Sequence, residues 1–365
     1  MSKNSTRMHE LDSLRALAAI GVIGWHYTNH FGASPLPYLM APFYRHGLLL
    51  VDFFFVLSGF VLARTYWSTG RSSDLSSNVR DRIARMYPLH VAMLCVVAAL
   101  QWVLVHPLAS EPFIYTFNDK RDFALNLLLL NRTGLERGFS YNATSWSVST
   151  EFVVNMLFLA TIAAGRRTAT VVLGIGFAVA LAALWRNSLI SSGTVLGIDN
   201  DIFRTIVGFG IGVALYRLDC HAIRRMNFKN GFYDLMASAA IIGFLYYCAR
   251  GTFTQHSDLA IAAICFPALI VGATRGSLVK RALLLPPLVY LGTISYSIYL
   301  VHYPLQLAIH VVSVATGIAM PYANAFFFIA FLAITIGLAS ITYRLIEVPW
   351  KEFLRTPRRQ VRVSE

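Results

Sequence analysis

"ELDSLRALAAIGVIGWHYTNHF", residues 10–31, decides how the chain is read. It is apolar for long enough to enter a membrane, yet Arg15 stands at its start and His26 near its far end. Lipid disfavours both side chains, so a segment that keeps them is a functional hypothesis by default. The remainder agrees with a membrane location: of 365 residues, 56% are hydrophobic and 13% charged, and the mean hydropathy is +0.57. An ordinary soluble domain is about a quarter charged. The opening run lacks a small-residue cleavage site, so it is expected to stay as the first span and not to leave as a signal peptide.

At about 20 apolar residues per crossing, the spans fall near 14–31, 47–66, 86–106, 146–165, 169–185, 202–217, 232–249, 258–274, 287–314 and 322–346. The fold expected is an all-α integral membrane protein, a bundle of about ten transmembrane helices in a single domain over residues 1–365. One long outer loop, 107–145, contains "FALNLLLLN" (123–131), too short to cross and read as a partial or surface helix. With a cytoplasmic N-terminus, most of the 31 Lys and Arg fall on inner loops, span ends and tails, Lys3, Arg71, Arg224, Arg225, Arg355, Arg358, Arg359 and Arg362 among them. Both termini are therefore expected to be cytoplasmic. The net charge of +13 then reads as a topology signal and an attraction to anionic inner-leaflet lipid. No soluble basic domain is visible, so nucleic acid is not an expected partner.

Arg15 and His26 are eleven residues apart, three helical turns plus about 20°, so they share a helix face about 16.5 Å apart along its axis. A basic group at the mouth and an imidazole deep inside suit a long ligand with an anionic head and a reactive tail. "VRDRIARMYPLH" (79–90) places Arg82 and Arg85 three apart on one face leading into the third span. Clustered guanidiniums bind phosphate oxygens through forked donors, although positive-inside anchoring explains their spacing equally. Asp52, in "LLLVDFFFVLSGF", and Glu151, in "SWSVSTEFVVN", sit at a depth resembling that of His26. A buried carboxylate needs a partner. Either it fixes the histidine tautomer for general-base work, or it forms an ion pair that only joins helices. "GTISYSIYLVHYPL" (292–305) aligns Ser295, Tyr299 and His302, with Tyr296 on a neighbouring face, as a cavity lining or as interhelical hydrogen bonding.

Other patterns point away from sites. Gly208 and Gly212 of "GFGIG" lie inside an apolar helix and read as close helix packing, not as a dinucleotide loop. His26 and His30 are four apart, but H-E-x-x-H lacks its glutamate here, and no metal is expected. Cys95, Cys220, Cys248 and Cys265 have no C-x-x-C spacing and read as small hydrophobes. Asn142-Ala143-Thr144 matches the glycosylation pattern, as chance allows.

Several blocks together resemble the membrane-bound acyltransferase 3 family of bacterial glycan acyltransferases. They are "LDSLRALAAIGVIGWH", "VDFFFVLSGFVL", "RIARMYPL", "SWSVSTEF", "FRTIVGFGIG", "LGTISYSIYLVHYPL" and "YRLIEVPW", in family order from Leu11 to Trp350. The chain departs from the family pattern at Ser13, Ala16, Phe152 and Asn155. The resemblance implies an acyl-CoA donor, most simply acetyl-CoA, entering from the cytoplasm, with His26 catalytic and Arg15, Arg82 and Arg85 holding the donor. Glu151 and Asp52 are then expected to orient the imidazole, and Tyr296, Tyr299, His302 and Arg204 to line the substrate cavity. The acceptor implied is a carbohydrate hydroxyl outside a bacterial inner membrane. Exopolysaccharide, lipopolysaccharide O-antigen and secreted lipo-oligosaccharide all stay open, as do direct transfer and an acyl-histidine intermediate. Some relatives append a soluble esterase-like domain, which is not expected here. The rival reading is a transporter or channel whose pathway uses the same buried groups.

Overall fold

The computed structural model describes residues 7–67, 75–186, 189, 193–221, 223, 228–251 and 253–354 of the 365. Lys3, Arg71, Arg224, Arg225, Arg355, Arg358, Arg359 and Arg362 of the charge pattern lie outside the described residues. The opening stretch is α1 (His9–Phe31), and it stops at Gly32, whose φ of 63° turns the chain left-handed while its N–H returns to the Thr28 carbonyl. A side chain at that φ would be strained, which is the usual reason for glycine past a helix end.

The second apolar run begins earlier than expected. It comprises α2 (Pro37–His46), a tight turn Gly47–Leu49, α3 (Leu50–Leu62) and a wider turn Ala63–Trp67. Then come α4 (Leu75–Val105), α5 (Lys120–Leu127), α6 (Trp146–Ala163) and α7 (Arg166–Arg186). A two-residue hairpin, β1 (Thr194–Val195) with β2 (Ile198–Asp199), precedes α8 (Asn200–His221). The last part holds α9 (Asn230–Arg250), α10 (Gln255–Arg275), α11 (Leu278–Leu283), α12 (Pro286–Thr293), α13 (Ser295–Thr316), α14 (Ala325–Thr342) and α15 (Val348–Leu354). Apart from the hairpin, the described residues form helices and their connections, as expected, and α5 is the short helix of the long loop.

Among the described residues, eight helical segments are long and apolar enough to cross a membrane. α1 and α8, with 23 and 22 residues, are also of crossing length, but their polar side chains make them less apolar. These two sit inside the bundle. Most of the α1 side chains are buried, and α8 lies so close to α3 that a Cβ on Gly59 would meet the Phe209 carbonyl at 2.0 Å and one on Gly212 the Val56 carbonyl at 2.0 Å. Both glycines expected to serve close packing do so, Gly212 against the α3 backbone and Gly208 against Phe55. At the rim the pattern reverses: 17% of the apolar window of α7 is buried, against 89% for the run containing α3.

Two features differ from expectation and shape the site. The expected ninth span divides at Ile294 into α12 and α13, where Gly292 lies against the α1 backbone at Asp12 and Ser13. The second half of the 107–145 loop does not lie on the surface: Leu129, Asn131, Arg132, Ser140, Asn142, Thr144 and Ser145 are buried. The Asn142 amide donates to the Leu300 carbonyl at 3.2 Å, so this asparagine is a packing residue.

Candidate active site

Cavities lie at both ends of α1. The first, about 730 Å³, is lined by Arg15, Phe54, Ser58, Arg82, Arg85, Glu151, Ser295, Tyr296 and Tyr299 among others. It opens into a wider one, about 1100 Å³, which shares Arg15, Arg85, Ser295 and Tyr296 and adds Arg7, Arg64 and Lys351. Helical spacing brings these groups together: Arg15 sits nearly two turns into α1, and Arg82 and Arg85 share a face of α4. Arg15 is paired with Asp12 at 3.0 Å, and Asp12 also accepts from Arg7 at 2.6 Å. Among the described residues Arg82 and Arg85 make no ion pair with a carboxylate. This end of the bundle therefore gathers guanidiniums around open space, with Arg82 also hydrogen-bonded to Tyr66, an arrangement that fits polyanionic ligands.

The second cavity, about 910 Å³, lies at the far end of α1. It is lined by Trp25, His26, Asn29, His30, Tyr115, Arg132, Phe139, Trp146, Asp201 and Arg204, with Leu48, Ile114 and Ala143. His26 is 3% exposed. Its Nδ1 is 3.4 Å from His30 Nε2, and its Nε2 is buried with no hydrogen-bond partner. A free, sheltered imidazole nitrogen is what a general base or nucleophile requires. The aromatic walls offer stacking faces, and the guanidiniums below them are already satisfied. Arg204, 1% exposed, is held by both oxygens of Asp52 at 2.6 and 2.9 Å, and Arg132 by Asp201 at 2.7 Å. Beside them, burial pushes the Asp199 carboxyl up to about 7 despite the nearby Arg132.

The two cavities share no lining residue. Between them stand Phe54, Tyr299 and His302: the Tyr299 ring centroid is 6.0 Å from Phe54 and 5.9 Å from His302, which lies 5.1 Å from His26. The polar stripe of α13 thus runs parallel to that of α1. Tyr296 and Tyr299 border the arginine cavity, where Tyr299 meets the Ser147 hydroxyl at 2.8 Å, and His302 is wholly buried beside His26.

The geometry corrects the partner expected for the imidazole. Glu151 accepts from Ser58 at 2.6 Å on the arginine side, and Asp52 is occupied by Arg204. Neither carboxylate orients His26. The ends of the apolar runs place Glu151 level with the histidine, but the buried loop segment before Trp146 starts α6 inside the bundle, which carries Glu151 past it. Arg204 does line the histidine cavity, as a locked ion-pair member. Sequence reasoning missed Gln306, whose Oε1 is 2.7 Å from His30 Nδ1, and Tyr115, whose hydroxyl is 3.1 Å from His30 Nε2. Only the spacing of His26 and His30 on one helix face signalled this cluster.

Comparison with known proteins adds an independent line. The acyltransferase 3 model, described as an acyltransferase domain, matches residues 8–344. The peptidoglycan O-acetyltransferase OatA of Listeria monocytogenes is 26% identical over 367 residues, 93% of this chain and 55% of that protein. The O-acetyltransferase OatA of Staphylococcus aureus is 25% identical over 371 residues, 93% of this chain and 56% of the relative. Acyltransferase MdmB of Streptomyces mycarofaciens is 28% identical over 163 residues, 43% of this chain and 40% of its own. The chain thus spans about half the length of the curated relatives it matches. No solved structure gives a significant match. Because the match covers nearly every described helix, including both polar stripes, the chain belongs to the acyltransferase 3 family, and its long apolar helices make it a multi-pass membrane protein.

Proposed function

We propose that the protein moves an acyl group, most simply acetyl, from cytoplasmic acyl-CoA to a hydroxyl of a glycan on the other side of a bacterial cytoplasmic membrane. The observation that carries this reading is the position of His26 Nε2, buried and unpartnered beside the aromatic-lined cavity, with the ring layer of Tyr299 and His302 between it and the arginine-lined one. In this reading α1 and α8 cross with the eight apolar segments, and both termini are cytoplasmic. Arg15, Arg82 and Arg85 hold the phosphates of the donor in the arginine cavity, with Tyr296 beside them. The thioester end reaches His26 by displacing the Tyr299–His302 layer.

On the opposite side Trp25, Tyr115, Phe139 and Trp146 offer faces for a sugar ring. His26 Nε2 takes the proton of the acceptor hydroxyl as its oxygen attacks the thioester carbonyl. The carbon–sulfur bond then breaks, and the imidazolium returns the proton to the departing thiolate, giving an ester and a free thiol. Positioned proton transfer of this kind contributes about 10²- to 10⁴-fold. The relatives named peptidoglycan O-acetyltransferases support a glycan acceptor.

The test is purified protein in lipid vesicles, given labelled acetyl-CoA and a panel of bacterial glycans. Label should pass to one glycan class, and His26→Ala should remain folded and bind donor while transferring none. Normal transfer by that variant overturns the assignment of His26, and solute flux with no acyl transfer and no need of acyl-CoA overturns the acyltransfer reading as a whole.

A further inference from the structure

Among the described residues His26 has no carboxylate partner, so another group must set which of its nitrogens is bare. We propose that His30, fixed by Gln306 and Tyr115, is the positioning residue of His26: it holds the His26 proton on Nδ1 and leaves Nε2 as the free base. This rests on the reading of His26 as the base.

The contacts determine the assignment in sequence. Gln306 is fully buried, and its carboxamide oxygen stands 2.7 Å from His30 Nδ1. A carboxamide oxygen only accepts, so Nδ1 of His30 carries the proton and its Nε2 is bare. The single lone pair of a bare Nε2 is shared by two donors, the Tyr115 hydroxyl at 3.1 Å and His26 Nδ1 at 3.4 Å. Burial pushes the Tyr115 phenol above its ordinary value, so this hydroxyl keeps its proton to donate. Nδ1 of neutral His26 is then the protonated nitrogen, and the lone pair falls on Nε2, the atom with no partner.

Turning the Gln306 amide over reverses the whole chain. Its NH₂ would donate to His30 Nδ1, His30 would present Nε2–H to His26 Nδ1, and the His26 proton would move to Nε2, where it abolishes the base. His302 does not take the role, because its ring stands 5.1 Å from that of His26 and makes no hydrogen bond to it. An outer partner that fixes a functional imidazole is commonly a carboxylate or a backbone carbonyl. Here a neutral imidazole and a carboxamide do the same without placing a charge beside the reacting atoms.

The experiment is nitrogen-15 NMR of protein labelled on its ten histidines in lipid, with the His26 signals assigned by difference from His26→Ala. We expect His26 neutral, with Nδ1 protonated and Nε2 bare. In His30→Phe and Gln306→Leu that bias should vanish, whereas Gln306→Glu, which can only accept when ionised, should keep it. A His26 proton on Nε2 in the unaltered protein, or an Nδ1 proton that persists in both His30→Phe and Gln306→Leu, overturns the proposal. If His30→Phe does not fold, Gln306→Leu and His30→Gln carry the test.

Turnover of labelled acetyl-CoA with the acceptor found above gives the second readout. The kcat should fall about 10- to 100-fold in His30→Phe with KM for acetyl-CoA unchanged, and His30→Gln should recover part of it through its amide oxygen. Equal losses of donor binding and turnover would instead mark a merely structural role. If His26→Ala still transfers, the functional reading fails while the tautomer result stands. If His26→Ala is inactive and the tautomer is unbiased, only the role of His30 fails.

Discussion

At one end of α1 the guanidiniums of Arg82 and Arg85 face an open cavity and make no ion pair among the described residues; at the other, Arg204 and Arg132 are gripped by Asp52 and Asp201. The residue type is the same and the state opposite. A buried guanidinium with both oxygens of a carboxylate on it, as Arg204 has, is part of the architecture. One that borders a cavity with no carboxylate on it among the described residues is prepared for the anion of a ligand. In the proposed reading the difference also distinguishes the two ends of the pathway. The cavity with unmatched positive charge suits a phosphorylated donor, and the one whose charges cancel beneath aromatic walls suits an uncharged sugar.

The largest effect should come from Arg204→Ala, which leaves Asp52 buried without its partner and should lower stability by about 3–5 kcal/mol. Thermal unfolding in detergent measures this, and Arg204→Leu combined with Asp52→Leu should regain most of the loss. If Arg204→Ala is as stable as the parent, the contrast between locked and waiting arginines is wrong.

Arg82→Ala should do the reverse, leaving stability within about 0.5 kcal/mol while costing about 1.5–3 kcal/mol in donor binding. The readout is KM for acetyl-CoA, and the loss should shrink at high salt. Gly212→Ala sharpens the same comparison from the backbone. A Cβ there meets the Val56 carbonyl at 2.0 Å, so α8 must lift away from the helix that bears Asp52, at a cost of about 1–3 kcal/mol. The same unfolding assay reads it, and Gly174→Ala on the rim helix, which meets nothing within 4 Å, is the control.

The smallest effect is a slope with pH. Folded Asp199 keeps its proton up to about 7, while an unfolded aspartate loses it near 3.8. The folded state therefore binds more protons in between, and this group's contribution to stability falls as pH rises through that window. Asp199→Asn should flatten the slope, seen in unfolding midpoints at pH 4 and pH 8.

The fold was largely readable because its information is local. Runs of about 20 apolar residues mark crossings, and Gly208 and Gly212 inside such a run mark a close helix contact. The stripe linking Arg15 to His26 follows from helical periodicity alone. What could not be read was which polar groups meet across helices. Depth along a span can be counted, but direction around it cannot, so Asp52 and Glu151 looked like histidine partners until α8 supplied Arg204 and α3 supplied Ser58. Gln306 lies 276 residues from His30 in sequence, and no spacing rule joins them. The buried half of the 107–145 loop was equally hidden, since its polar composition reads as surface.

The layer of rings formed by Phe54, Tyr299 and His302 has a bearing on the cell as well as on the enzyme. Reaction chemistry carried out midway through a bilayer places exchangeable hydrogens where an unbroken file of water would let them leak from one compartment to the other. A stack of rings that parts only for an arriving thioester would keep the electrochemical gradient intact between turnovers.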